Sequence, residues 1–472
     1  QVSADGLTYT FTLKPHLKFS DGSPLTADDV AYSINRTVLP ATKSDVSNYL
    51  QLLKDYDRAS SGAIPTLIGD SIIVNNPSTI TLIISKPAAY FLEELSYPTS
   101  YVVERKLIEK YGEKWTDHLE EGGGDGPFKV LSYGHTTSLD LVPNPNYEGR
   151  RPKLQKIQYF IASDRDSNYK AFLAGQYDLA PLPPAQEEAA KSKPGFQNIP
   201  ALAIRHLSLN YLTKPLDNIK FRQALALAIN KDLIVHRIIG DFVTPTNHIV
   251  PKGLPGYDEK LTGPAGVVGT TGDQKKAQAL LKEALQESGY SDVHQIPQLT
   301  LTYGLGYQAA ADTLVAITDE WKQVLGISIK LQGIQENDLN KEQASTIGHD
   351  GPLQIWYTAW GADYPDPQDF LSVFFSKGAQ HNTFNYGQNT STDAAQQRAV
   401  QAELLKADGE TNFATRKQLY NDAEQKIVND VGWISTYQSA YGYAVNPKLR
   451  NWKPNSQGSI APDDYGDIYF VQ

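Results

Sequence analysis

The stretch Trp360-Gly361-Ala362-Asp363-Tyr364-Pro365-Asp366-Pro367 holds the most distinctive chemistry in the chain. It follows the strand-like run Ile355-Trp356-Tyr357. A carboxylate set among aromatic rings, on a loop stiffened by two prolines, suits an ammonium group through charge pairing and cation–π contact. The same residues also suit a plain turn in which Asp363 caps backbone N–H groups. The residues alone leave both readings open. Asp363, Asp366 and Asp369 are also near enough to suggest a hard cation. A calcium loop requires an Asp-x-Asp-x-Asp-Gly pattern, which prolines interrupt here, so no metal site is expected.

Other candidate sites are weaker. Gly122-Gly123-Gly124-Asp125-Gly126 could cradle a phosphate, but it runs into the strand-like Pro127-Phe128-Lys129-Val130 rather than a helix N-terminus. It reads as a turn and a candidate boundary. Gly69-Asp70-Ser71 superficially resembles a serine-esterase box, yet it precedes a strand and has no partner histidine motif. The nine histidines are scattered, without HExxH, and His206, His236 and His248 show no ligand spacing on one helix face. No cofactor is expected.

Composition narrows the classes further. The 472 residues exceed what one core supports, so two or more domains are expected. A net charge of −10 without a basic stripe argues against nucleic acid. With no cysteine, disulfides, thiolate metal sites and cysteine nucleophiles are excluded. No run approaches a membrane span, and no signal peptide is visible. Gln1 opens abruptly into strand-like sequence, so the natural N-terminus is expected to lie further upstream.

The elements that must position the loop alternate in type. Thr8 to Leu13 has period two and reads as a strand. Thr26 and Asp29 form a capping-box pattern, opening a helix with Val30, Ile34 and Val38 on its apolar face. Strands are expected at 72–74, 79–84, 128–133, 138–142, 157–161 and 207–211. Residues 89–111 read as broadly helical with a break at Pro98, and 168–173 as a short helix closed by Gly175. Helices are expected at 221–239, 273–288, 394–407 and 414–430. The strand 299–303, helix 309–325 and strand 327–331 imply a parallel β-α-β unit. Residues 251–272 read as a long exposed loop, 354–358 as the strand feeding the Trp360 loop, and 433–443 as a final strand pair.

Several segments carry a family resemblance over essentially the whole chain. They are Asp5-Gly6-Leu7-Thr8-Tyr9-Thr10-Phe11; Phe19-Ser20-Asp21-Gly22-Ser23-Pro24-Leu25-Thr26-Ala27-Asp28-Asp29-Val30; Gly126-Pro127-Phe128 with Asn144-Pro145-Asn146-Tyr147; Phe172-Leu173-Ala174-Gly175-Gln176-Tyr177-Asp178; and Asn210 with Phe221-Arg222-Gln223-Ala224-Leu225-Ala226-Leu227-Ala228-Ile229-Asn230. In this order they resemble the large peptide-type (family 5, oligopeptide/dipeptide-binding) extracellular solute-binding proteins of ABC importers.

The resemblance implies an α/β, two-lobed periplasmic-binding-protein fold of type II, the large variant with an accessory domain and a two-stranded hinge. Residues 1–120 would form the accessory domain, 121–206 with 441–472 lobe I, and 207–440 lobe II. The family's first lobe I strands have no counterpart here, which fits an upstream start. The implied function is binding without chemistry: an extracytoplasmic monomer, periplasmic or lipid-anchored, that closes on an oligopeptide and passes it to permease subunits. The resemblance places Asp363 on the ligand's α-ammonium and Trp360 in the same pocket, with Gly361, Ala362, Tyr364 and Trp356 completing the site. Dipeptide-type relatives carry an arginine near the segment that here reads Leu305-Gly306-Tyr307-Gln308-Ala309. No Arg or Lys stands there, so longer peptides with a loosely held C-terminus are expected. The alternatives are an oligosaccharide or metal chelate on the same fold, or a secreted hydrolase, for which no motif speaks.

Overall fold

A computed structural model describes residues 1–162, 164–306 and 308–471. The chain divides into two compact units: residues 1–182, 193–197 and 443–472 in unit 1, and 183–192 with 198–442 in unit 2.

Unit 1 carries two separate three-stranded antiparallel sheets. The first orders β1 (Thr8–Thr12), β2 (Ile72–Asn76) and β3 (Thr79–Ile83) as β1-β3-β2. Helix Ala27–Val38 begins with both halves of the capping box that Thr26 and Asp29 foretell. It buries Ile34 and Val38 but leaves Val30 only half-buried. The second sheet runs β4 (Phe128–Gly134), β5 (Ser138–Pro143), β6 (Ile157–Phe160). Residues 89–111 are not broadly helical. They form one helical turn at Phe91–Glu94, a 3-10 turn at Pro98–Ser100 and a helix at Arg105–Tyr111. The Gly122–Gly126 turn holds an internal anion, since Gly123 N–H donates to a Glu104 carboxylate oxygen at 2.9 Å. Ser71 is wholly buried at the entry to β2. Strand β7 (Leu179–Pro181) pairs with residues 443–445.

Unit 2 is organised by one large sheet. Its strands are β8 (Phe196–Leu209), β9 (Thr244–Pro245), β10 (Thr300–Gly304), β11 (Lys330–Ile334), β12 (Ile355–Gly361) and β13 (Trp433–Val445), in the order β11-β10-β12-β8-β13 with β9 also on β13. The β10–helix Gln308–Leu325–β11 unit is parallel, as the sequence order requires. The expected strand pair at 433–443 is one 13-residue strand. The C-terminal tail adds β14 (Leu449–Arg450) and β15 (Tyr469–Phe470) to unit 1.

Period-two alternation sends the sheet's side chains to two cores. Ile355, Tyr357, Leu207 and Leu209 pack with helices Ile219–Leu227, Gln274–Glu287 and Gln308–Leu325. Trp356, Ile204 and Trp433 pack with helices Ala394–Gly409 and Phe413–Asp430. The helix expected over 221–239 is broken. It ends at Leu227 and a four-residue helix restarts at Lys231, where Asn230 Oδ1 accepts from Leu233 N at 3.0 Å. Nor is the 251–272 loop exposed throughout. Its approach residues Ile249 and Val250 enter the core, as does Leu254. Glu424 Oε1 accepts from the N–H groups of Ile249 and Val250, both at 2.9 Å, and Asn429 Oδ1 accepts from Ala265 N at 3.0 Å.

Candidate functional site

Strand β12 delivers the Trp360 loop. Its antiparallel pairing with β8 sets Trp360 opposite Ile204 and Gly361 opposite Ala203, and Ala362 N–H extends the ladder to Leu202 O at 2.7 Å. The loop then leaves the sheet and closes on itself. Asp363 N–H donates to Asp369 Oδ2 at 3.0 Å, and the indole Nε1–H of Trp360 donates to the same oxygen at 3.1 Å. A 3-10 turn, Pro367–Asp369, follows, with Asp366 Oδ1 accepting from Gln368 N at 2.8 Å.

The three loop carboxylates have different surroundings. Asp366 meets Arg416 in a two-pronged contact, both prongs 2.7 Å, and Arg416 lies 4.8 Å from the centre of the Tyr420 ring. Such a fork fixes geometry as well as charge. Burial works against the Arg416 charge, and Asp366 with Tyr420 holds it in place. Asp369 is wholly buried. Burial pushes its carboxyl well above the usual range, the Asp363 carboxylate adds to that, and the N–H donors of Asp363 and Trp360 oppose it. Asp363 itself is half-buried. A guanidinium on Asp366 and two N–H donors on Asp369 make the trio unlike a hard-cation cage. Among the described residues, the His/Asp/Glu group with metal-ligand proximity is instead His118, Glu120 and Glu121, in unit 1.

The six expected site residues therefore separate. Trp360, Gly361, Ala362 and Asp363 stay partly or fully exposed on the loop. Trp356 and Tyr364 do not: both are 0 % exposed. Trp356 lies inside the second core, because its position on β12 points it inward. Tyr364 Oη donates to Gln368 Oε1 behind the loop. Tyr307, in the segment where dipeptide-type relatives carry arginine, lies outside the described residues.

Sequence reasoning missed the ring wall. Trp360 meets Phe374 edge-on at 4.9 Å between centroids and His381 at the same distance. His206 stacks on Trp433 at 3.8 Å, and burial depresses it to about 3, so it is neutral at ordinary pH. Burial lowers His381 as well. No local pattern in the sequence announces Phe374, His381 or Arg416. Gly361 is another case: a Cβ there would sit 3.7 Å from Ala203 Cβ, an ordinary contact, so the fold does not itself demand glycine.

Comparison with known proteins shows the family of the chain. The family model for bacterial extracellular solute-binding proteins, family 5, matches residues 1–382. The chain is 26% identical over 478 residues to the oligopeptide-binding protein OppA of Bacillus subtilis, covering 100% of this chain and 82% of that protein. It is 26% identical over 440 residues to the dipeptide-binding protein DppE of the same organism, covering 92% and 77%. The crystal structure of an oligopeptide-binding protein, OppAIV, from Borrelia burgdorferi shares the fold, with a TM-score of 0.79 at 24% identity, covering 100% of this chain and 89% of that one.

Proposed function

This chain belongs to the bacterial extracellular solute-binding proteins of family 5, and from that membership we propose that it captures oligopeptides outside the cytoplasm and hands them to the permease of an ABC importer. The observation that carries the peptide reading is the loop itself. Asp363 is half-buried, and its main-chain N–H shares one Asp369 oxygen with the Trp360 indole, on a loop also held by the Asp366–Arg416 fork. A peptide α-ammonium answers both the carboxylate and the ring face. The exposed main chain at Gly361 suits strand-like pairing with a peptide backbone. Gly361 needs no explanation from packing within the fold, and close approach of a ligand backbone supplies one.

No reaction on the ligand is required. Uptake needs only a ligand that favours one conformation, which the importer then reads. The absence of Arg or Lys from 305–309 supports peptides whose C-terminus is not measured closely. Among the described residues no helix is long and apolar enough to cross a membrane. Membrane attachment through a lipid anchor outside this sequence, and a monomeric state, complete the proposal.

Calorimetry with trialanine and pentaalanine, free and N-acetylated, tests the grip. Asp363→Asn should weaken the free-amine peptides by about 1.5–3 kcal/mol, the range for hydrogen bonds to charged groups. It should leave the acetylated peptides unchanged. Equal binding of free peptides by mutant and parent would remove Asp363 from the site. Mass spectrometry of ligand co-purifying with the protein tests the ligand class, and an oligosaccharide or metal chelate there would overturn the peptide reading. Release of cleavage products from those peptides would overturn the binding-only reading.

A further inference from the structure

The Asp363 grip leaves a second acid of the same loop without a role. Asp369 is wholly buried and forms no ion pair among the described residues. A buried carboxyl is costly unless hydrogen bonds satisfy it. Asp366, three residues earlier, meets that cost with a guanidinium. Asp369 meets it with two N–H donors on one oxygen, the main chain of Asp363 at 3.0 Å and the indole of Trp360 at 3.1 Å. Its other oxygen, Oδ1, is buried and has no hydrogen-bond partner among the described residues.

Those donors are the two ends of the segment Trp360-Gly361-Ala362-Asp363. They belong to the ring and the residue assigned to the ammonium. The middle of the segment is already fixed to the sheet through Ala362 N–H and Leu202 O, 2.7 Å apart. That bond restrains neither the rotation of the indole about its side-chain torsions nor the backbone direction at Asp363. Asp369 restrains both through one atom. The ring's remaining neighbours, Phe374 and His381, are aromatic contacts that tolerate rotation more readily than a directed N–H bond.

We propose that Asp369 is a positioning residue: by holding the Trp360 indole and the Asp363 main chain on a single buried oxygen, it sets ring face and ligand carboxylate in one fixed geometry before a peptide arrives. This rests on the Asp363 grip. The gain is preorganisation, since ordering the ring and the loop then costs nothing at binding. A neutral amide can do the same work, because its oxygen also accepts two N–H bonds. An alanine cannot.

Two variants and one spectroscopic signature test the proposal. Asp369→Asn should bind trialanine within about twofold of the parent. Asp369→Ala should lose about tenfold, the scale of one net hydrogen bond. The Trp360 Nε1–H resonance, assigned by its disappearance in Trp360→Phe, should exchange slowly with solvent in the unmutated protein. It should keep its hydrogen-bonded position in Asp369→Asn and leave it in Asp369→Ala. Rapid exchange in the unmutated protein would overturn the proposal even if Asp369→Ala does not fold. So would an unmoved resonance in Asp369→Ala, or an Asn variant as weak as the Ala variant. Failure of the grip has a separate signature: Asp363→Asn would then bind free-amine peptides normally, while the Trp360 resonance still decides whether Asp369 fastens the loop.

Discussion

Units 1 and 2 handle charge differently. In unit 1 the ion pairs lie at the surface, as with Lys54–Asp70 at 2.8 Å, Arg105–Glu109 at 2.7 Å and Lys110–Glu121 at 2.7 Å. Unit 2 draws charge inside. Arg222 is completely buried, and its guanidinium donates to Asp430 O at 2.9 and 2.8 Å, Leu216 O at 3.0 Å and Asp430 Oδ1 at 2.9 Å. Asp366–Arg416, Lys231, Asp369 and Glu424 are buried there too. These groups reach segments where the backbone stops being regular. Arg222 closes the C-terminus of helix Phe413–Asp430, where Val431 adopts a left-handed φ of 54°. Such a conformation is unfavourable for a β-branched residue and needs outside support. Tyr211 Oη provides part of it, donating to Val431 O at 2.8 Å. Buried charge in unit 2 thus fixes helix ends and loops around a large apolar sheet; in unit 1 the buried Glu104 does the same for Gly123, but the ion pairs stay at the surface.

The largest effect should come from breaking the Arg222 cluster. Arg222→Ala strips partners from two backbone carbonyls and leaves Asp430 as an uncompensated buried acid. Removing one partner of a buried pair costs about 3–5 kcal/mol. Hydrogen exchange should show protection falling across 198–442 while amides in 1–182 keep theirs. Uniform loss in both units would break the contrast. Lys for Arg should not rescue, since the fork that reaches three oxygens is lost.

Lys231 should give the next largest effect. Its ammonium is wholly buried, donating to Thr246 O at 3.0 Å and Asn247 Oδ1 at 2.6 Å. Burial pushes it down to about 7, against Asp232, which opposes the shift. Between about pH 7 and the ordinary value of 10.5 the unfolded chain carries a proton that the folded chain has released. Stability from this group therefore rises with pH across that window, by about 1.4 kcal/mol per unit at most, and is flat below it. Denaturant midpoints of parent and Lys231→Met should diverge in slope over that window. Parallel profiles would show that Lys231 keeps its proton when folded.

Gly361→Ala should separate binding from folding within unit 2. The added Cβ meets Ala203 Cβ at 3.7 Å and Leu202 O at 4.0 Å, both ordinary contacts, so the unfolding midpoint should stay within about 0.5 kcal/mol of the parent. Peptide affinity should fall by about 1 kcal/mol, because a ligand backbone approaching that edge meets a methyl group. Unchanged affinity would move the ligand away from Gly361.

Much of this contrast was hidden from sequence, for a physical reason. Local order was legible wherever partners are near in the chain. The period-two run Thr8–Thr12, the Thr26–Asp29 capping box and the β10–β11 crossover all follow from neighbouring residues. The Trp360 loop was legible for the same reason, since its prolines, ring and carboxylate are contiguous. What failed depends on distant partners. The break after Leu227 is stabilised by Glu320 Oε2, which accepts from Asn230 N at 2.9 Å across 90 residues. The 249–265 backbone is held by Glu424 and Asn429. Arg416 reaches Asp366 over 50 residues. The burial of Trp356 and Tyr364 was not legible, because contiguity cannot tell which face of β12, or which side of the loop, turns inward.

The smallest expected effect lies in unit 1 and is the sharpest check on the comparison. Arg105 Nε and Glu109 Oε1 are 2.7 Å apart, four residues apart on helix Arg105–Tyr111, and both side chains are more than half exposed. Water screens the pair, and holding two long side chains in one geometry offsets much of its attraction. Glu109→Gln removes the charge while keeping the side chain's length, so it leaves the contact of Arg105 with the Tyr32 ring untouched. The unfolding midpoint should shift by no more than about 0.5 kcal/mol, and the shift should vanish in 1 M salt. A loss near that of Arg222→Ala would mean that a surface pair in unit 1 organises backbone as the buried pairs of unit 2 do. Electrostatic position in the fold, rather than contact distance, would then no longer distinguish them: 2.7 Å in the exposed pair and 2.9 Å in the buried one already show that distance does not.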